Sequence, residues 1–372
     1  MKQDSGEMVK REDTQRFPCR NCGANMVFEP DTQSLFCPYC ESRIDITKEN
    51  DGIQEYDFFS VQDSMPGDWG REKRIIHCES CGADTVLDST SMAEFCAFCG
   101  SSHIVRNEGQ AGIPPESLVP FRISAKKAKE CFSTWINKRF FAPRALKTSY
   151  YMNRLSGVYI PCWTYDANTY STYTAEAGTY YYETVREWVV ENGKRKQVTK
   201  QVRKIRWRHT SGIYSDEFDD VLVNASSKID EGLMRKLEPF DLSALVRYKP
   251  EFLSGFLAEK YSIGLKEGWE KAKCHIDDCI RRGVIDKINA DEVRNLHIRT
   301  KYDKIKFKHI LLPVWISSYT YKNKVYRFLV NGQTGEVQGK SPVSPWKVAA
   351  VILLVLAVGA AVYFGYTYYK GI

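Results

Sequence analysis

The chain has 372 residues and a formal net charge of +7, from 53 Lys and Arg against 46 Asp and Glu. Its 22 Tyr and 18 Phe favour strands and argue against an all-helical body. The small charge excess excludes a uniformly basic chain, because essentially all of it falls in one segment, described below.

The start, MKQDSGEMVKRED, holds no apolar stretch that could act as a secretory signal. Eight of the 12 cysteines then follow one pattern twice: Cys19, Cys22, Cys37 and Cys40, then Cys78, Cys81, Cys96 and Cys99. Two CxxC pairs facing each other across a short hairpin supply the four sulfurs of a closed tetrahedral zinc site. The spacing therefore predicts two structural zinc ribbons, each holding one Zn²⁺, with no open position for catalysis. The competing reading is a disulfide framework, which needs an oxidising compartment. Gly23, Gly82 and Gly100 follow the second cysteine of three knuckles, where φ is free to be positive. Glu41 occupies the equivalent place after Cys40, which predicts a less regular knuckle in the first ribbon. His77 and His103 flank the second ribbon and are expected in loops. From Ile44 to Arg74, Gly52, Met65-Pro66-Gly67-Asp68 and many acids mark a linker.

Asn107 to Pro115 reads as a second joint, leading into strand-like Leu118 to Phe121. Ser124 is the expected N-cap of a helix whose apolar positions are Ala128, Phe132, Trp135 and Ile136. The run YIPCWTYDANTYSTYTAEAGTYYYETV alternates Tyr and Thr and reads as sheet. Asn192-Gly193 signals a type I′ hairpin joining Thr184–Val190 to Gln197–Arg208. Ala225 to Lys236 and Ser254 to Ile288 look helical, the second interrupted by Gly264, Gly268 and Gly283. Lys304 to Lys340 returns to strands, with turns at Lys322-Asn323 and at Asn331–Gly335. Ile160-Pro161-Cys162-Trp163 and Leu312-Pro313-Val314-Trp315 each open a strand run, either as two related sheet halves or by chance.

Val348 to Tyr369 lacks any charge. A helix of that length, about 33 Å at about 1.5 Å per residue, crosses a hydrocarbon core of about 30 Å. Trp346 and Tyr363, Tyr366, Tyr368 and Tyr369 resemble an interfacial aromatic belt. The segment predicts a single-pass C-terminal tail anchor. The reduced cysteines and the absence of a signal place the preceding body in the cytoplasm.

Arg186 to Arg208 holds nine basic residues against Glu187 and Glu191, 9 − 2 = +7. On a strand, Lys204, Arg206 and Arg208 share one face and Ile205 and Trp207 the other. Such a hairpin suits anionic lipid, an acidic protein or nucleic-acid phosphates; the plainer reading is a solvated edge protected by charge.

Catalytic patterns are thin. Gly335 to Ser341 is one residue short of a phosphate-binding loop, and Pro342 and Pro345 follow it, so it reads as a hairpin and linker. The six histidines show no H-x3-H or HExxH spacing. Cys274 and Cys279 lie about 140° apart on a helix; with Cys131 and Cys162 they read as core or reduced surface thiols.

CESCGADTVLDSTSMAEFCAFCGSSHIV, LVPFRIS, GVYIPCWTYDA, EPFDLSAL, FLSGFLAEKY and LLPVWISSYTYKNKVYRFLVNGQTGEVQGKSPVS together resemble the bacterial TFIIB-type zinc-ribbon membrane proteins. These are similar to the YdjG-like proteins encoded with phage-shock and SPFH-type membrane proteins. The resemblance covers about residues 75 to 345. It implies Cys78, Cys81, Cys96 and Cys99 as metal ligands, an added ribbon at Cys19, Cys22, Cys37 and Cys40, and SPFH-type or phage-shock-type partners.

The expected fold is α+β. It has ribbons at 1–48 and 75–110 joined by a linker at 49–74, a β-rich mixed body with intervening helices at 114–341, and one transmembrane helix at 346–369. The expected function is a membrane-anchored zinc-ribbon adaptor without enzymatic activity. It binds protein partners at the cytoplasmic face of the membrane, in membrane stress or membrane organisation. The alternative is a membrane-tethered nucleic-acid-binding protein using the ribbons and the basic hairpin.

Overall fold

The computed structural model of the chain describes residues 17–47, 52–60, 74–79, 83–87, 96–98, 104–107, 113–143, 155–191, 194–321 and 324–370. Among these residues the architecture is mixed α+β and rich in strand, as the composition predicts. A small sheet, β1 (Val27–Glu29), β2 (Ser34–Phe36) and β3 (Arg43–Asp45), carries the first four cysteines on its turns.

The second sheet collects the short strands β4 (Tyr56–Asp57), β5 (Arg74–Cys78), β6 (Asp84–Leu87), β7 (Ile104–Asn107) and β8 (Ser117–Leu118). Its spine is three much longer strands, β9 (Ser156–Glu191), β10 (Lys194–Asn224) and β13 (Glu292–Tyr321). Around them lie β11 (Val246–Arg247), β12 (Leu257–Glu259), β14 (Lys324–Asn331) and β15 (Val337–Gly339). β9 pairs antiparallel with β10 along one edge and with β13 along the other.

The sequence predicts sheet from Tyr159 continuing into a hairpin whose second arm is Gln197–Arg208; that arm extends further, and pairing runs unbroken down to Cys162 opposite Asn224 apart from one bulge. The reason lies in the residues: from Cys162 to Glu191 the chain has no Pro and a single Gly, so nothing stops a Tyr- and Thr-rich strand. That glycine, Gly178, leaves room for Ile205 and Trp207, which a Cβ would meet at 2.8 and 2.9 Å. Asn192 and Gly193 themselves lie outside the described residues, as do Lys322 and Asn323. Three register shifts bend the spine, at Phe218/Val221, Arg294/His297 and Asp303/Lys306. Each contains one left-handed residue, Asp220, Asn295 or Lys304, the conformation that an extra residue in a ladder commonly requires.

Among the described residues three α-helices pack on this frame and a fourth leaves it. α1 (Ala125–Lys138) buries Ala128, Phe132 and Ile136 beneath β14, with Phe132 stacked on Phe328 at 3.7 Å between centroids. Ser124 is its N-cap residue, without a side-chain cap bond. α2 is shorter than expected, Glu231–Leu237, because Asn224 and Ser226 close a turn first. α3 begins only at Leu265, since Leu257–Glu259 is claimed by the sheet as β12. It then runs to Ile288 through Gly268 and Gly283 without interruption. The glycines are places of close approach: a Cβ on Gly268 would collide with Trp163 and Tyr165, and one on Gly283 with Tyr214. Trp163 Nε1 donates to the Ile263 carbonyl at 2.9 Å and the Tyr165 hydroxyl to that of Leu265 at 2.7 Å. These buried bonds fix the start of α3 on β9. Last, α4 (Pro345–Lys370) leaves the body as a bare apolar helix.

Several expectations change. The two proline–tryptophan segments do not both open strands; Leu312 lies 20 residues into β13, and the segments are direct neighbours, with Ile160 opposite Leu312 and Pro161 opposite Leu311. The proposed linker is partly docked: Tyr56 and Asp57 pair with Phe307 and Lys306, and Glu55 bridges Lys306 and Lys308. His77 sits on β5 instead of in a loop, 2.8 Å from Asp84, while His103 lies outside the described residues. Cys162 is buried in the core and Cys131 packs against α1's cluster, as expected of structural thiols. The turn at Asn331–Gly335 forms as read and leads into β15, so Gly335–Ser341 is part of a hairpin.

Candidate metal centre

The first cysteine set converges. Sγ of Cys19 and Cys40 are 3.3 Å apart, those of Cys22 and Cys37 3.5 Å, and all four sulfurs lie within 4.8 Å of one another. A tetrahedron with metal–sulfur bonds of about 2.3 Å has edges of about 3.8 Å, so the donor set fits one zinc ion by both geometry and softness. It is the single four-cysteine group among the described residues.

The knuckles are built alike. The Gly23 N–H donates to the Cys19 carbonyl at 2.8 Å, and the Glu41 N–H to that of Cys37 at 3.0 Å. Gly23 has φ +73° and Glu41 φ +60°. The expectation of a less regular knuckle is therefore corrected: Glu41 adopts the glycine conformation, and the departure appears as local strain, since a Cβ disfavours this region.

Local donors prepare the sulfurs for a cation. Backbone N–H groups of Asn21 and Cys22 bring the Cys19 thiol down to about 6. The Ser42 hydroxyl, 3.0 Å from the Cys40 sulfur, lowers that thiol as well. Cys22 is favoured by the Ala24 N–H yet is pushed up to about 12 by sharing protons with Cys40 and Cys37. A bound cation reverses that last effect, because coordination removes the proton outright. Sequence reasoning missed Ser42, which also accepts from Asn21 Nδ2 at 2.8 Å and so ties the two knuckles together; its place two residues after Cys40 was the available signal.

The small sheet is fastened to the body. The Phe28 N–H donates to the Ser254 carbonyl at 3.0 Å, Ser254 Oγ donates to the Met26 carbonyl at 2.7 Å, and Gln33 Nε2 donates to the Phe121 carbonyl at 2.6 Å. Phe28 is 3% exposed and packs edge-on to Phe252 and Phe256. The four-cysteine knuckle is thus fastened to a wall of the core.

Of the second set, Cys78 and Cys96 are buried in one cluster with Ala83, Ala97 and Phe98. Cys81 and Cys99 lie outside the described residues. A separate group of carboxylates, Glu55, Asp166 and Asp219, also converges. Lys308 already supplies a cation there, 3.2 Å from Glu55 and 2.6 Å from Asp220. Burial pushes the Asp166 carboxyl up to about 6. The cluster is an ion-pair network that joins the segment around Glu55 to β9, β10 and β13.

At the other end of the chain, Pro345–Tyr366 has a mean hydropathy of 2.6, and none of its most apolar stretch is buried against the body. Length and composition suit a membrane span. Its root is tied to the body by Lys347 Nζ, which donates to the carbonyls of Phe140 and Ala142 at 2.8 Å each.

The chain is 28% identical over 341 residues, 90% of its own length and 92% of the relative's, to a Bacillus subtilis (strain 168) protein described as "Uncharacterized protein YdjG". No protein-family model matches the chain. No solved structure matches it.

Proposed function

We propose that this chain is a zinc-stabilised scaffold, anchored in the cytoplasmic membrane by α4, that binds protein partners at the cytoplasmic face in membrane stress or membrane organisation. The observation that carries the reading is the docking of the four-sulfur knuckle into the body through Phe28, Ser254 and Gln33. A ribbon locked into a core stabilises a platform, and the bare helix α4 leaves that same platform. The repeated spacing supports a second Zn²⁺ held by Cys78, Cys81, Cys96 and Cys99. Reduced thiolates at both sites require a reducing compartment, which supports a cytoplasmic body. The sequence resemblance to the zinc-ribbon membrane proteins is the ground for proposing SPFH-type or phage-shock-type partners and a role that is not enzymatic.

The test is purification of the full-length chain from native membranes in mild detergent under reducing conditions. The expected preparation contains two equivalents of zinc and a membrane protein in near-stoichiometric amount that survives nuclease treatment. A chain that elutes alone refutes the scaffold, and one equivalent of zinc or less refutes the second site.

A further inference from the structure

The last rung between β9 and β13 is Gly178 opposite Glu292, yet β9 and β10 stay paired up to Glu191 opposite Lys194. Among the described residues, Thr179–Glu191 and Lys194–Arg206 thus form a two-stranded ribbon about 40 Å long at about 3.3 Å per residue. Residues opposite one another share a face, so the register sorts the charge. One face carries Arg186, Arg195 and Arg203 with the rings of Tyr182 and Trp188, and none of its described side chains is acidic. The other carries Lys196, Lys200, Lys204 and Arg206 among Glu183 and Glu187, with Lys204 paired to Glu183 and Arg206 laid over Tyr181.

We propose that the arginine–aromatic face of this ribbon binds single-stranded nucleic acid. The proposal is independent of the scaffold reading and of the zinc sites.

Charge complementarity supports it first. The four described cations of one face are offset in part by Glu183 and Glu187, whereas Arg186, Arg195 and Arg203 share their face with no described acid, and the planar guanidinium fork suits phosphate. The arginines fall on the rungs of residues 182, 186 and 190, about 13 Å apart. Tyr182, opposite Arg203, and Trp188, between the rungs of Arg186 and Arg195, are each 65% exposed, free to take bases by stacking. Between these stand Thr184, Thr199, Gln197 and Gln201, uncharged donors and acceptors of the kind that contact sugar, phosphate and base edges.

Distance argues against the bilayer as the occupant. The anchor springs from the end of the sheet where Val158 faces Val314, whose strand carries β14 and then β15. From Val158 to Thr184 is 26 residues of one strand, roughly 85 Å at full strand rise. The attraction of anionic lipid fades within a Debye length of about 10 Å. A ribbon so far from its anchor meets soluble polyanions unless the whole spine lies flat.

The experiment uses the full-length chain in nanodiscs of neutral phosphatidylcholine. Fluorescein-labelled oligo-dT and oligo-U of about 20 nucleotides are titrated by anisotropy at about 50 and 200 mM salt. Anionic phosphatidylglycerol vesicles are tested in parallel. Binding to both oligonucleotides that weakens with salt is expected. Tyr182→Ala with Trp188→Ala should lose at least about tenfold. The triple variant R186Q, R195Q, R203Q should lose at least as much, and the triple variant K196Q, K200Q, K204Q less than about threefold. Trp188→Phe should keep most of the affinity, separating stacking from any folding defect.

Absence of oligonucleotide binding at low salt overturns the proposal. So do equal losses from the two charge variants with none from the ring variants, which would mark diffuse charge. Binding to anionic vesicles without binding to oligonucleotides overturns it in favour of a membrane contact.

Discussion

Glu259→Gln should change the pH dependence of stability. Glu259, at the end of β12, is 1% exposed. Its Oε1 accepts from the Ser226 hydroxyl at 2.7 Å, and Oε2 has no hydrogen-bond partner. Burial pushes the carboxyl up to about 8 from 4.5, Ser226 and Lys228 offset this only in part, and Asp84 adds to it. Between those two values the folded chain holds a proton that the unfolded chain has released. Stability therefore falls as pH rises, by about 1.4 kcal/mol per unit. At pH 7 the 2.5 units above 4.5 amount to roughly 3 kcal/mol. Gln cannot ionise and lacks this slope, whatever constant offset its amide introduces. Thermal unfolding of both full-length chains in detergent with zinc, at several pH values from 5 to 8, is the assay. The variant's advantage should grow across that range by on the order of 5–10 °C. Loss of zinc thiolates at low pH affects both chains and cancels in the difference. A gap that stays constant with pH would show that Glu259 is ionised in the fold and refute the reasoning.

Glu41→Gly removes a Cβ from a left-handed position and should stabilise the first knuckle by about 0.5–1 kcal/mol, read as slower zinc loss to a chelator. Gly268→Ala should lower stability by about 1–3 kcal/mol, because the new methyl meets Trp163 and Tyr165; an unchanged melting temperature would mean that α3 shifts freely. Truncation before Pro345 should yield a body recovered without detergent, whereas the full-length chain should resist a high-salt wash; a full-length chain that washes off denies the anchor.

The sequence exposed those features that depend on local spacing. The four sulfurs of Cys19, Cys22, Cys37 and Cys40 meet because each CxxC is a self-contained turn. The apolar positions Ala128, Phe132 and Ile136 fall on one face because a helix repeats every 3.6 residues. What stayed hidden depends on tertiary neighbours. Gly268 and Gly283 look like helix breakers in isolation and are contact points only once Trp163, Tyr165 and Tyr214 lie beneath them. Glu41 cannot announce a positive φ that its knuckle imposes. Leu257–Glu259 reads as the first turn of a helix, yet β6 and β9 draw it into the sheet. Glu259 is an ordinary acid in sequence; burial beside Ser226 is what perturbs it.

The spine also explains where rigidity ends. α3 lies over the odd-numbered residues of β9, burying Trp163, Tyr165, Ala167 and Tyr173 in one cluster with Trp269, Ile276, Ile280 and Val284. The helix stops at Asn289, left-handed at φ 49°, and the chain turns straight into β13. Three residues later Glu292 faces Gly178, and Tyr180 is held from both sides: its N–H donates to Asp291 at 2.7 Å and its hydroxyl to Glu292 at 2.6 Å. Beyond this clamp, neither a third strand nor a covering helix follows among the described residues. A two-stranded ribbon alone is marginal in water, and this one relies on Arg203 over Tyr180, Arg206 over Tyr181 and the Lys204–Glu183 pair, each of modest strength at an exposed site. The design is a braced beam with a softer tip. A ligand that spans both strands through Arg186, Arg195 and Arg203 would order that tip, so binding there should protect ribbon amides from exchange while leaving those of the α3-covered beam unchanged.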